Sequence, residues 1–132
     1  ESKTVAEKYS KELKEMDAKK FKDQIKASKD IIKQIDSVVA LFIGKDDKRQ
    51  GITRNPEITV MQRIGNASYY SGTRKNGITK TERDLIKYAK GELKTALDKT
   101  NSFFANKWKT YRDTIESLDV SPFKKTETFS MD

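Results

Sequence analysis

The sequence contains neither cysteine nor histidine. Within these 132 residues, the two absences exclude disulfide bonds, zinc sites built on thiolate or imidazole, and mechanisms that depend on a Ser–His or Cys–His pair. They also exclude the Glu-x-x-His motifs of a ferritin-like di-iron centre. No other nucleophile and base can be paired, so the sequence predicts no catalytic residue, no metal site and no cofactor.

Long apolar runs are missing as well. Hydrophobic residues make up 34% of the chain and charged residues 36%. The longest apolar run covers residues 38–43, whereas a membrane-spanning helix needs about 20 apolar residues. The N-terminus is polar and lacks the apolar segment of a signal peptide. Because the chain begins with Glu1 and not with Met, we expect it to be a processed product or a piece of a longer protein.

Prolines and glycines are few, two and six respectively, and apolar residues recur at helical spacing between them. This pattern predicts one domain over residues 1–123 and a polar tail over residues 124–132. Short connections favour antiparallel neighbours. The predicted fold is therefore all-α, an antiparallel up-and-down bundle of three to four helices with a long C-terminal helix. The predicted helices cover about residues 2–16, 18–43, 56–71 and 80–118.

Local signals mark the ends of these helices. Asp17 is a candidate cap for the second helix, and a break there is favoured over one kinked helix across residues 2–43. Residues 55–57, Asn-Pro-Glu, have the pattern of a helix start. Thr79 and Glu82 have the spacing of a capping box, and Gly44 is typical of a helix C-terminus.

The apolar stripes also predict which side chains form the core. Each stripe places one helical face against its neighbours, and the aromatic cluster near Trp108 lies on such a face. We therefore expect these aromatic rings to pack in the core and not to stack on a ligand. The predicted core residues are Ile25, Ile32, Ile35, Val39, Phe42, Met61, Ile64, Ile86, Leu93, Leu97, Phe104, Trp108, Tyr111 and Ile115.

Positive charge is concentrated in the middle of the chain. The formal net charge is +8, and residues 51–90 carry eight basic and three acidic side chains. Lys-rich helical faces are usually ordinary solvated surface, but a basic region can also attract nucleic acid or another polyanion. The tyrosine pair and the basic residues of this region form the predicted interaction surface: Arg49, Arg54, Arg63, Tyr69, Tyr70, Arg74, Lys75 and Arg83.

Several short motifs together carry a family resemblance. They are residues 50–57 (QGITRNPE), Thr81-Glu82, residues 100–104 (TNSFF), Lys107-Trp108 and residues 121–123 (SPF). Over about residues 20–123, the chain resembles the C-terminal helical region of large secreted bacterial proteins built on sortilin-type, BNR-repeat β-propellers. These proteins are often labelled glycosyl-hydrolase-like or sialidase-like.

This resemblance implies that the domain follows a propeller in an exported precursor, in the periplasm or at the cell surface. Any hydrolase activity would belong to the propeller, whose Asp-box repeats are absent from this chain. The function expected first is a non-catalytic accessory domain that packs on its own N-terminal propeller or binds a surface protein. The alternative is a basic bundle that binds nucleic acid or another polyanion, although a nucleic-acid partner is not favoured.

Overall fold

A computed structural model describes residues 1–45, 58–73 and 77–118 of the chain. The secondary structure of this described part consists of helices joined by short turns and contains no strand. Near the C-terminus, two α-helices and the π-helical segment between them follow one another without a break, so residues 80–116 form one helix about 55 Å long at 1.5 Å per residue. The predicted all-α bundle with a long C-terminal helix is confirmed. The helices are α1 (Ser2–Asp17), α2 (Lys22–Ile43), α3 (Val60–Gly72), α4 (Lys80–Ser102), a π-helical segment (Phe103–Trp108) and α5 (Lys109–Glu116).

α1 and α2 form an antiparallel hairpin. Asp17 Oδ1 accepts hydrogen bonds from the backbone N–H groups of Lys19 and Lys20, both at 2.9 Å, and so stabilises the turn between the helices. At the open end of the hairpin, Lys3 Nζ lies 2.7 Å from Asp36 Oδ1. The predicted break is confirmed, and the alternative of a single kinked helix is wrong. The predicted start of the second helix at residue 18, with Asp17 as its cap, is wrong: Asp17 caps the turn, and α2 begins at Lys22 without a side-chain cap.

α2 also runs antiparallel to the C-terminal helix. Early in α2, the hydroxyls of Ser28 and Tyr111 form a buried hydrogen bond of 2.9 Å. Further along α2, Gln34 and Val38 lie beside Phe103. Three helices therefore enclose the main hydrophobic core, because α1, α2 and the segment from the π-helix to α5 all contribute to it. Its buried members are Ala6, Leu13, Phe21, Ile31, Ile35, Phe103, Tyr111 and Ile115.

α3 packs against α4, and α2 makes fewer contacts with each of these two helices. The prediction that this helix starts at residue 56 is wrong, because Ile58 and Thr59 are not helical and the helix begins at Val60. Thr59 and Gln62 form a complete capping box, which fixes the start four residues later than the Asn-Pro-Glu pattern indicates. The predicted capping box of Thr79 and Glu82 is confirmed.

Part of the predicted core is confirmed. Ile35, Tyr111 and Ile115 are buried. The prediction is wrong for Val39, Met61, Leu97 and Phe104, which are between 41% and 53% exposed. The first three lie on helical faces that the described part of the chain leaves largely uncovered. Seven others are half-buried: Ile25, Ile32, Phe42, Ile64, Ile86, Leu93 and Trp108.

Phe104 has a different physical reason for its exposure. A π-helical segment has a longer hydrogen-bond step than an α-helix and rotates the following residues relative to the α-helical register. Ala89, Ala96 and Phe103 are buried and recur every seven residues, so Phe103 continues the buried face of α4. The segment begins at Phe103 and shifts only the residues after it, so counting back from Trp108 by one α-helical turn selects Phe104. The two rings still contact each other edge to face, with centroids 5.2 Å apart. An apolar stripe counted at α-helical spacing through this segment therefore selects the wrong aromatic residue.

Candidate functional site

An open groove of about 480 Å³ lies between α3 and α4. Its α4 wall contains Ile86, Ala89 and Leu93, three residues that recur on one face of the helix. Ala89 is buried, while Ile86 and Leu93 are only half-buried. The groove therefore exposes aliphatic surface that would be enclosed in a bundle with a third helix at this end. Its full lining is Ile64, Ala67, Ser68, Ser71, Gly72, Ile86, Ala89, Lys90 and Leu93.

The α3 wall is made mostly of small residues, and this explains why the groove stays open. Ala67, Ser68, Ser71 and Gly72 carry little or no side chain with which to fill the space between the helices. A Cβ atom built on Gly72 would meet nothing within 4 Å. Ser71 Oγ donates a 2.6 Å hydrogen bond to the Ala67 carbonyl of its own helix. The wall is therefore shallow, and this hydroxyl already has a partner.

Four basic residues border the groove on its α4 side. Arg83, Lys87, Lys90 and Lys94 are spaced by four, three and four residues, which places them on one stripe along the helix. Lys90 lines the groove itself, so the stripe follows the groove's edge. None of the four forms an ion pair with another residue of the described part. We call these four residues the basic row.

α3 does not neutralise the basic row. Its sequence, VMQRIGNASYYSG, contains no acidic residue and one basic residue, Arg63. The Arg63 guanidinium carbon lies 4.7 Å from the centroid of the Tyr88 ring, a cation–π geometry. The Arg63 Nε atom is buried and has no hydrogen-bond partner among the described residues. Arg63 thus faces Tyr88, and it is not among the residues that line the groove.

The predicted interaction surface is only partly described. Arg49, Arg54, Arg74 and Lys75 lie outside the described residues. The four described members are distributed over both helices of the α3–α4 pair. Arg63 is half-buried against Tyr88, Tyr69 and Tyr70 are exposed and contact each other edge to face at 5.6 Å, and Arg83 belongs to the basic row.

The groove and most of the basic row were not singled out from the sequence. The interaction surface predicted from the sequence contains Arg83 of the basic row but not Lys87, Lys90 or Lys94, and Ile86 and Leu93 were predicted as core. The sequence signal for this site is the spacing of the basic row, by four, three and four residues, beside an apolar stripe on the same helix. The number of helices that cover the stripe is a tertiary property, and local spacing does not contain it.

A second, more polar depression of about 320 Å³ lies beside the π-helical segment. α2 contributes Gln34, Ser37 and Val38, and the C-terminal helix contributes Lys99 and Lys107 among others. The side-chain oxygen of Gln34 is buried without a hydrogen-bond partner in the described part. The Asn106 amide instead donates to the Ser102 carbonyl of its own helix at 2.9 Å.

In the described part of the chain, the pKa values of Asp17, Lys3 and Tyr111 are shifted, and these residues lie outside the groove. Hydrogen bonds from the backbone N–H groups of Lys20 and Lys19 lower the pKa of Asp17. The hydrogen bond to Asp36 raises the pKa of Lys3. Burial raises the pKa of the Tyr111 hydroxyl, against the opposing effect of its hydrogen bond with Ser28. These shifts accompany turn, ion-pair and core contacts of the three-helix end.

The groove therefore offers apolar contact and positive charge. Among the described residues, no three acidic side chains come together in an arrangement that could hold a metal ion. None of the described helices is both long enough and apolar enough to cross a membrane. Comparison with protein-family models, curated proteins and solved structures finds no match to this chain. The resemblance to propeller proteins therefore stays a prediction.

Proposed function

We propose that this protein is a non-catalytic interaction domain that docks on a partner protein through the groove between α3 and α4. The observation that supports this proposal most directly is the uncovered aliphatic surface of Ile64, Ile86 and Leu93 in a groove of about 480 Å³. Burying apolar surface stabilises an interface by about 25 cal/mol for each Å² removed from water. A partner that covers these side chains gains this contribution, which a third helix of the chain's own would otherwise provide.

The family resemblance supplies the proposed context. In that context the domain is the helical C-terminal region of a larger exported β-propeller protein. Its partner is either its own N-terminal propeller or a protein of the cell surface. Any hydrolytic reaction belongs to the propeller in this proposal, and the helical domain contributes docking or stability.

A site-specific crosslinking experiment in the native protein tests the docking surface. A photoreactive amino acid replaces Leu93, which lines the groove, or Thr95, which is exposed about 180° away on α4. We expect a protein crosslink from position 93 and little from position 95. An internal crosslink to an N-terminal propeller would identify that propeller as the partner, and a product of added mass would identify a separate protein.

The outcome that would contradict docking through the groove is equal crosslinking from both positions, or none from position 93. Circular dichroism of both substituted proteins serves as the control for folding. Since Leu93 is half-buried and Thr95 exposed, we expect neither replacement to unfold the bundle.

The basic row supports a second candidate function, the binding of a polyanion. Phosphate binding releases counterions, so its affinity falls steeply as the salt concentration rises. Titration of a DNA duplex or heparin between about 50 and 200 mM salt measures this directly. Polyanion binding predicts a large loss of affinity with Lys90→Glu and almost none with Leu93→Gln, whereas docking on an apolar surface predicts a clear loss with Leu93→Gln.

A further inference from the structure

We infer that the occupant of the α3–α4 groove is an amphipathic helix that carries acidic side chains along one edge. This inference rests on the proposed docking function and adds the chemistry of the partner. Three features of the described residues support it: the dimensions of the groove, the small side chains of α3 and the one-sided charge of the rim.

The dimensions of the groove fit a helix. On α4 the lining runs from Ile86 to Leu93, and on α3 it runs from Ile64 to Gly72. Each wall is therefore about two helical turns, or roughly 10–12 Å, in length. A helix that presents apolar residues at i, i+3 or i+4, and i+7 covers the same distance, and this is the usual pattern of helix-in-groove recognition.

The small residues of α3 allow such a helix to come close. Packed helices have axes 8–10 Å apart, and the shorter distances need small side chains at the contact. Ala67, Ser68, Ser71 and Gly72 supply them on one wall. The larger aliphatic side chains on the other wall, Ile86 and Leu93, then pack between the apolar residues of the incoming helix.

Charge determines the orientation and the class of the partner. The basic row follows the α4 edge from Arg83 to Lys94, a distance of about 16 Å. No charged residue of α3 lines the groove, because its one charged residue, Arg63, lies against Tyr88. Carboxylates on one edge of the incoming helix would face the basic row and fix which way the helix lies. Complementary charge of this kind gives specificity and a faster association rate more than affinity.

The same charge distribution disfavours a second copy of this chain as the occupant. Two facing grooves would bring basic rows together with α3 walls that contain no carboxylate. The basic rows would then lack a partner at the interface. A nucleic acid would pair with the basic row but would leave the aliphatic floor of the groove uncovered.

A displayed library of 18-residue, alanine-based helical peptides provides the test. The library is randomised at the exposed positions and selected on the intact protein. We expect enriched peptides to carry aliphatic residues at i, i+3 or i+4, and i+7, with Asp or Glu on one flank. For an enriched peptide, we expect the combined change Lys87→Glu, Lys90→Glu and Lys94→Glu to weaken binding at least about tenfold.

Matched variants separate the groove from the rest of the surface. Leu93→Gln removes apolar contact, and Ser68→Arg blocks the groove from an exposed position, so that loss of binding does not depend on one variant. The controls are Val39→Gln, which is 45% exposed on α2, and Lys26→Glu, which is exposed on the same helix. We expect both controls to bind the peptide normally, and substitution of Lys for the peptide's acids to restore binding to the charge-reversed protein.

Each result distinguishes the inference from the proposed function. Enriched peptides that are apolar but not acidic, and whose binding is lost in Leu93→Gln, would overturn the acidic helix and leave docking through the groove intact. A dimer in sedimentation that dissociates with Leu93→Gln would overturn the acidic helix and identify a second copy as the occupant. Failure to enrich any peptide that depends on Leu93 or Ser68 would overturn the acidic helix, and the crosslink from position 93 would then decide separately whether the groove docks a partner.

Discussion

The two ends of the long C-terminal helix are stabilised by different interactions. Around α5, two other helices complete a core that buries large side chains such as Leu13, Ile31 and Phe103. At the α3–α4 end, the buried apolar residues are Val60 and three alanines, Ala67, Ala89 and Ala96. The three-helix end therefore gains far more from burial. The α3–α4 pair, which α2 touches in fewer places and which we call the two-helix end, leaves larger aliphatic side chains in contact with water.

Helix capping shows the opposite distribution. α3 and α4 both begin with complete capping boxes, at Thr59 and Thr79. α1 and α2 have no side-chain hydrogen bond at their N-caps. A capping box satisfies backbone N–H groups that the helix itself leaves without partners. Local capping therefore maintains the helices at the two-helix end, where little apolar surface is buried. An open apolar face can persist there as a result.

The largest expected difference between the ends comes from truncating one leucine in each. Leu13, 2% exposed, lies in the three-helix core, and Leu97, 45% exposed, lies on α4. We expect Leu13→Ala to lower the free energy of unfolding by about 2–5 kcal/mol, because it removes buried contacts and leaves a cavity. Leu97→Ala should lower it by less than about 1 kcal/mol. Urea denaturation followed by circular dichroism measures both, and equal losses would refute the contrast in burial.

The next largest effect concerns the capping boxes. We expect Thr59→Ala and Thr79→Ala each to lower the free energy of unfolding, or of local opening, by about 1 kcal/mol. Thr4→Ala is the matched control, since Thr4 lies in the first turn of α1, where no side chain caps the helix. Amide exchange at the start of α3 and α4 reports the local effect. Capping would lose its special importance at the two-helix end if Thr4→Ala were as destabilising as the other two.

The smallest effect tests the polar contact within the three-helix core. Tyr111→Phe keeps the ring but removes the hydrogen bond to Ser28, which still donates to the Gln24 carbonyl. We expect a loss of about 1 kcal/mol in the free energy of unfolding near neutral pH.

The same variant carries a prediction for alkaline pH. Burial raises the pKa of Tyr111 in the folded state. The contribution of this shift is therefore complete below the unfolded pKa of about 10 and is lost as the pH rises through the folded value. Tyr111→Phe should lose less stability than the parent protein above pH 10. The raised pKa of Lys3 also lowers the stability of the folded protein as the pH rises. Lys3→Met is therefore the control that measures this separate contribution. Parallel stability curves for parent and Tyr111→Phe would contradict a buried hydroxyl.

The sequence was most informative where the signal is local. Apolar spacing predicted the helices and the break after Asp17, and the Thr79–Glu82 spacing predicted a cap that the structure contains. The predicted start of α3 was wrong because two capping patterns, at Asn55 and at Thr59, lie four residues apart in the sequence. Helical spacing alone does not choose between them.

Tertiary features were harder to predict from the sequence. Met61 and Leu97 lie on apolar stripes, but which stripes are covered depends on where the neighbouring helices end. The π-helical segment shifts Trp108 and Tyr111 relative to the buried face that ends at Phe103, so α-helical counting back from them selects Phe104 instead of Phe103. The groove likewise exists because no other described helix covers the apolar face between α3 and α4. Helical spacing in the sequence does not show which faces are left uncovered.

Amide hydrogen exchange of the intact 132-residue protein tests the central contrast most directly. Exchange from the most stable elements requires global unfolding, while less supported elements open locally. We predict the slowest exchange in residues 28–35 and 103–115, and at least about tenfold faster exchange in residues 62–72 and 83–93. Equal protection in the two regions would show that the α3–α4 end is as firmly closed as the three-helix core, and would contradict the account of an open docking groove.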